Sequence, residues 1–212
     1  AFAIGRCFGS VVVRDGGKRV AVGYDGRLHS PELEAQLVAG LRTCGLEAVR
    51  IGLCATPMLY FAAYDQDAAG AVMVTGSHNP PDYNGLKMVI GGTTLALDAI
   101  QNLKARIEAG DLKHGKGERR SADVKSAYVE KIVGDVKLAR PLKIVMDCGN
   151  GVAGAVAPEL FKRLGCEIIP LFCEVDGNFP NHHPDPSKPE NLADVIKALK
   201  ETGIAEGRIF DR

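Results

Sequence analysis

One stretch of the sequence combines residue types and spacing that could do chemistry: Thr75-Gly76-Ser77-His78-Asn79-Pro80. It follows the apolar run Ala71-Val72-Met73-Val74 and precedes the polar run Pro81-Asp82-Tyr83-Asn84-Gly85. A second apolar run, Leu86-Lys87-Met88-Val89-Ile90, comes next. The pattern reads as two strands joined by a loop rich in turn-forming residues. A strand end that holds one hydroxyl among polar groups is a way to present a nucleophile or a phosphate carrier. Loops on a rigid scaffold are also where function concentrates.

The elements that must position this loop alternate strand and helix. Val20 to Tyr24 reads as a buried strand. Ser30 is expected to cap a helix with Pro31 at its first position. Leu33, Leu37 and Leu41 place one apolar stripe on that helix, and Gly45 ends it. Ala48 to Leu53 reads as the next strand, Pro57 opens a short helix toward Tyr64, and a helix over 95–109 carries Ile100, Leu103 and Ile107 on one side. The polar, charged stretch 110–122 reads as a solvated connection. Beyond it come a helix through Tyr128 to Val133, a strand from Leu142 to Met146 and the turn Asp147-Cys148-Gly149-Asn150-Gly151. A helix ending at Leu164-Gly165, a strand from Glu167 to Phe172, a long loop over 176–190 and a helix from Leu192 to Lys200 complete the chain. The halves echo each other: strand, turn with Asp and Gly, helix with Pro-Glu-Leu (31–33 and 158–160), Gly, strand. Such self-similarity predicts two related α/β domains in tandem, residues 1–118 and 119–212.

Composition narrows the partners. A chain of 212 residues with 46% hydrophobic and 25% charged residues is ordinary for a globular protein of one or two domains. No apolar run approaches the ~20 residues of a membrane span, and Arg6 and Cys7 interrupt any signal-peptide pattern. Lys+Arg and Asp+Glu are both 26, which argues against nucleic-acid binding by bulk charge. A small anionic ligand needs only a local cationic pocket. The six cysteines form no C-x-x-C pair and lie in or beside apolar segments, so they are expected to be buried free thiols of a reducing, cytoplasmic compartment.

The ordered set of motifs resembles the α-D-phosphohexomutases, most of all the bacterial members acting on mannose and glucose phosphates. The resemblance rests on Thr75 to Pro80 with Asp82-Tyr83-Asn84-Gly85 and Lys87. It extends to Val22-Gly23-Tyr24-Asp25-Gly26-Arg27, to Asp147 to Gly151, and to the run Cys173 to Pro186, and covers nearly the whole chain. It implies the first two of four domains, each a mixed sheet sandwiched between helices. The implied activity is interconversion of hexose 1- and 6-phosphates through a phosphoserine and a bisphosphorylated sugar. Ser77 would carry the phosphoryl group, with Mg²⁺ as the hard cation for the phosphoester. His78 would donate to phosphoryl oxygens or orient the loop. Gly76 would allow close backbone approach. Asn79 would fix the loop by side chain–backbone bonds or contact substrate. Lys87 would supply a cation beside the phosphoserine and acid/base duty. Arg27 would brace the site or bind an anion, or else serve in an ordinary ion pair. Asp82 and Tyr83 would shape the loop.

Departures from the family pattern carry their own expectations. The first strand and its arginine have no counterpart, and of the aspartates in the metal loop only Asp211 has one. The sugar-selecting loop and the distal phosphate-binding domain lie outside the chain, so the chain alone is expected to be inactive. There are two rivals. One is a truncated, non-catalytic interaction module. The other is a nicotinamide-dinucleotide-binding oxidoreductase using Gly149-x-Gly151-x-x-Gly154 and Glu174, weakened because the same turn belongs to the mutase pattern. Adjacent His182 and His183 point to opposite faces of an extended chain and seldom share one metal ion.

Overall fold

The computed structural model describes residues 1–204 and 207–209. Contacts divide the chain into two compact units. The first holds residues 1–25, 29–75 and 85–124; the second holds 26–28, 76–84 and 125–212.

In the first unit the elements run α1 (Phe2–Arg14), β1 (Arg19–Tyr24), α2 (Ser30–Arg42), β2 (Glu47–Leu53), α3 (Thr56–Asp65), β3 (Gly70–Val74), β4 (Leu86–Ile90), β5 (Thr93–Thr94), α4 (Asp98–Glu108) and β6 (Arg119–Ser121). They build a six-stranded mixed sheet in the order β5-β4-β3-β1-β2-β6. β1 pairs in parallel with β2 and β3, β2 with β6, and the β3–β4–β5 edge is antiparallel. Alternation along the strands gives the sheet two faces. Val20, Val22, Val72 and Val74 share one core with Phe8 and Val12 of α1, Leu37 and Leu41 of α2, and Leu103 of α4. α3 packs on β1 and β3 with Met58, Leu59 and Ala62 buried. β3, the strand that delivers the Ser77 loop, is buried along its whole length, as a strand covered on both faces should be.

Two expectations change here. The helix expected to start behind a Ser30 cap starts one residue earlier in register: His29 is the N-cap and Ser30 is the first helical residue. The Ser30 hydroxyl instead donates to Asp25 Oδ1 at 2.6 Å, satisfying a carboxylate only 8% exposed at the end of β1. The stretch 110–122 is a connection only in part. Residues 119–121 are an edge strand on β2, so the first unit runs to Val124 rather than 118. Polar side chains secure that edge: Arg120 Nε donates to Glu47 Oε1 at 2.7 Å and Arg120 Nη1 to Gln66 Oε1 at 2.8 Å.

In the second unit α5 (Lys125–Asp135), β7 (Lys143–Asp147), α6 (Ala157–Arg163), β8 (Glu167–Leu171), α7 (Ala193–Thr202) and β9 (Gly207–Ile209) follow. The described strands form the sheet β8-β7-β9, parallel throughout, whereas the mixed sheet expected of each domain is seen in the first unit. Met146, Cys148, Ala153 and Ala157 form a core with Phe161, Ile168 and Cys173 packed on it. No helix among the described residues is long and apolar enough to cross a membrane.

Candidate active site

The loop after β3 is gathered around one guanidinium. Arg27 is 1% exposed. Its Nη1 donates to the carbonyls of Pro80 and of Tyr83 (3.1 Å), and its Nη2 to those of Ser77 (2.9 Å) and Asn79 (2.6 Å). A planar fork of donors can hold four carbonyls in one geometry, which a lysine ammonium cannot. The Phe179 ring lies beneath, 5.3 Å from the guanidinium carbon, and its π face favours the cation. Gly76 makes room for this clamp: a Cβ there would sit 2.4 Å from Arg27 Nε and 2.7 Å from the Tyr83 carbonyl oxygen.

The clamped backbone holds Ser77 in an unusual state. Its φ is +53°, in the left-handed region that costs a residue with a Cβ about 1–2 kcal/mol. The peptide around it is pinned from both sides. Asn79 donates its backbone N–H (3.1 Å) and its Nδ2–H (2.8 Å) to the Gly76 carbonyl, while Arg27 holds the Ser77 carbonyl. Ser77 is half-buried. Asp82 lies exposed on the loop, and Tyr83 turns it by donating its N–H to the Pro80 carbonyl at 3.0 Å.

A reciprocal pair of histidine contacts ties the same loop to residues 183 and 184. His78 Nδ1 lies 3.0 Å from the Pro184 carbonyl, and His183 Nε2 lies 2.8 Å from the His78 carbonyl. Each ring nitrogen faces an acceptor and so carries the proton in these contacts. The neighbouring His182 turns elsewhere: its Nε2 is 3.1 Å from both oxygens of the buried Asp147 carboxylate, and its ring meets Phe172 edge-on at 5.5 Å. The half-buried Asp185 carboxyl is held below its usual range first by hydrogen bonds from the Ser187 hydroxyl and amide, and further by the His78 ring. Sequence reasoning placed 176–190 as a plain loop and missed His183 and Phe179 as supports of Ser77. The available signal was the crowding of His, Pro and Phe into Phe179 to Pro186.

Lys87 is the second residue of β4, opposite Met73, and belongs to the first unit. Asp211 lies outside the described residues. No group of three or more His, Cys, Asp or Glu side chains that could hold a metal ion occurs among the described residues.

The glycine-rich turn after β7 does not form a dinucleotide cradle. The Asp147 carboxylate accepts the Gly149 N–H at 2.8 Å, and Asn150 Nδ2 donates to the Glu174 carbonyl at 2.9 Å. Asn181 donates to Asn150 Oδ1 at 2.7 Å. A Cβ on Gly154 would stand 2.0 Å from the Cys173 carbonyl oxygen, so that glycine serves close packing. The turn leads into a short 3₁₀ segment, Val152–Ala155, rather than a helix N-terminus aimed at an anion.

A mixed sheet between helices and a clamped Gly-Ser-His-Asn loop define an α/β/α domain of the phosphohexomutase type. Family models agree: residues 1–114 match phosphoglucomutase/phosphomannomutase α/β/α domain I, and residues 126–211 match domain II. The chain belongs to the phosphoglucomutase/phosphomannomutase family. It is 52% identical over 211 residues to the phosphomannomutase/phosphoglucomutase of Pseudomonas aeruginosa, covering 100% of this chain and 46% of that protein. It is 51% identical over 213 residues to the phosphoglucomutase of Neisseria gonorrhoeae, covering 100% and 46%. Among solved structures, a phosphoglucomutase/phosphomannomutase family protein from Burkholderia thailandensis superimposes with a TM-score of 0.93 at 51% identity, over 97% of this chain and 47% of that one. A putative phosphomannomutase from Thermus thermophilus gives 0.80 at 25% identity, over 93% and 46%. The chain thus spans about half the length of the relatives it matches.

Proposed function

We propose that this chain is the phosphoserine-bearing half of a cytoplasmic phosphohexomutase that interconverts the 1- and 6-phosphates of glucose or mannose. The observation that carries the reading is Ser77 itself, half-buried and held at positive φ by a buried guanidinium and two histidine contacts. A nucleophile or carrier gains from such preorganisation because the cost of orientation is met before substrate arrives. In the forward step the Oγ–P bond of phospho-Ser77 breaks while a sugar hydroxyl oxygen bonds to phosphorus and loses its proton. In the return step the other phosphate of the resulting bisphosphate is passed back to Oγ. Phosphoryl transfer of this kind asks the protein mainly for position and charge stabilisation.

Within this reading Ser77 is the carrier, and His78, Gly76, Asn79 and Arg27 fix its loop. Lys87 supplies the cation and the acid/base group. Mg²⁺ would offset the roughly −1.5 to −2 charge of the phosphoester. Ser77 is the one ligand from the expected set that lies among the described residues. The relatives' names, the resemblance of the loop and the ordering of the clamp support the proposal. The test is conversion of glucose 1-phosphate to glucose 6-phosphate. A protein carrying the next two domains as well should turn over, Ser77→Ala in it should not, and this chain alone should show negligible rate. Turnover by the Ser77→Ala form would overturn the reading.

A further inference from the structure

Two thiols that the proposed chemistry does not use meet beside the turn after β7. Cys148 immediately follows β7, and Cys173 lies two residues beyond β8. The segments stay zipped past the strand ends: Cys148 N–H donates to the Leu171 carbonyl at 3.0 Å and Asn150 N–H to the Phe172 carbonyl at 2.8 Å. That pairing brings the two Sγ atoms to 3.4 Å, and neither sulfur is in a disulfide. Closing to the bonded distance of about 2.05 Å needs an approach of about 1.4 Å, within the reach of side-chain torsions. The partners are unequal. Cys148 is fully buried, whereas Cys173 is half-buried. The hydrogen bond between the two thiols holds the Cys173 thiol below its ordinary range, and the same bond together with burial pushes the Cys148 thiol up. The remaining four cysteines, Cys7, Cys44, Cys54 and Cys166, are buried, and burial pushes the Cys54 thiol up to about 12.

We propose that Cys148 and Cys173 form an oxidative modification site, a dithiol that hydroperoxides convert to an intramolecular disulfide. The Cys173 thiolate attacks the terminal oxygen of the peroxide and the O–O bond breaks. This yields a sulfenic acid at Cys173 and, with hydrogen peroxide, one water. The Cys148 sulfur then attacks that sulfenic sulfur, its proton leaves with the departing hydroxide as a second water, and the S–S bond forms. Two thiols and one hydrogen peroxide thus give one disulfide and two waters. The bridge would close on the turn whose Asp147 carboxylate holds His182.

The test is peroxide treatment of the native chain followed by alkylation under denaturing conditions and peptide mapping. The expected product is lighter by two hydrogens, reverts with dithiothreitol, and links tryptic peptides 144–162 and 164–197. The second peptide also contains Cys166, so fragmentation must place the bridge on Cys173. Cys148→Ser should stop at a Cys173 sulfenic acid that dimedone traps, and Cys173→Ser should leave Cys148 reduced. Six alkylatable thiols after a treatment that fully oxidises glutathione, or a bridge to Cys166, would overturn the proposal.

Discussion

The two halves of the chain run the same frame and use it differently. β1–α2–β2 and β7–α6–β8 are each a parallel strand pair joined across a helix carrying Pro-Glu-Leu. Gly45 and Gly165 end the matched helices at the same φ of +89°. Each first strand finishes on or next to a buried aspartate, Asp25 or Asp147. In the first frame the aspartate is satisfied by Ser30, and the turn sends out Arg27, whose donors hold the Ser77 loop. In the second frame the aspartate is satisfied by Gly149 N–H and His182, and the turn closes on itself through Asn150, Glu174 and Asn181. The shared frame dictates where a turn stands. The side chain that turn carries decides whether it becomes scaffold or part of a site.

The comparison breaks most readily at Arg27. Arg27→Ala leaves four carbonyls without their donor, at roughly 1 kcal/mol each, so a loss of about 4 kcal/mol is expected. Arg27→Lys should recover no more than about half, lacking the fork. Urea unfolding measures both, and a loss for Arg27→Ala below about 1 kcal/mol would mean the clamp is dispensable. The second frame is probed by Gly154→Ala, which pushes a methyl into the Cys173 backbone. A cost of about 2–3 kcal/mol by the same method is expected from such overpacking. At Ser77 the sign reverses. Ser77→Gly removes the penalty of a left-handed residue and should stabilise the chain by about 1 kcal/mol while eliminating the proposed carrier. A destabilised glycine variant would show that the loop is not strained.

The smallest effect concerns the edge strand and acid pH. Glu47 bridges Arg19 and Arg120, and the hydrogen bond from Arg19, then that from Arg120, holds its carboxyl below the usual range. A depressed folded-state pKa stabilises above the unfolded carboxylate value and stops doing so as pH falls through the folded value. Glu47→Gln should therefore cost about 1 kcal/mol or less at pH 7, and the difference should vanish well below about pH 4. Urea midpoints at both pH values decide it. A difference that persists in acid would remove the ion pairs from the account.

Much of this was legible because it depends on local pattern. Apolar runs with turn residues between them gave β3, β4 and the Ser77 loop, and the four-residue leucine spacing gave α2. What stayed hidden depends on partners distant in sequence. The Arg27 clamp joins residues 50–56 positions apart through backbone carbonyls, which every residue possesses and no motif advertises. His183 reaches a backbone carbonyl 105 positions away for the same reason. β6 is Arg-Arg-Ser, with no apolar alternation, and its place in the sheet comes from pairing with β2 and from Arg120 meeting Glu47. Ser30 resembled a cap by type and position, but a buried carboxylate five residues earlier claimed its hydroxyl.

The central claim is that the Ser77 oxygen carries a phosphoryl group. Its most direct test is mass analysis of peptide 51–87 from the longer protein after brief incubation with a hexose 1,6-bisphosphate. The account predicts one added HPO₃ on Ser77, discharged when hexose monophosphate is supplied and absent in Ser77→Ala. An unmodified Ser77 in a protein that is turning over would contradict it.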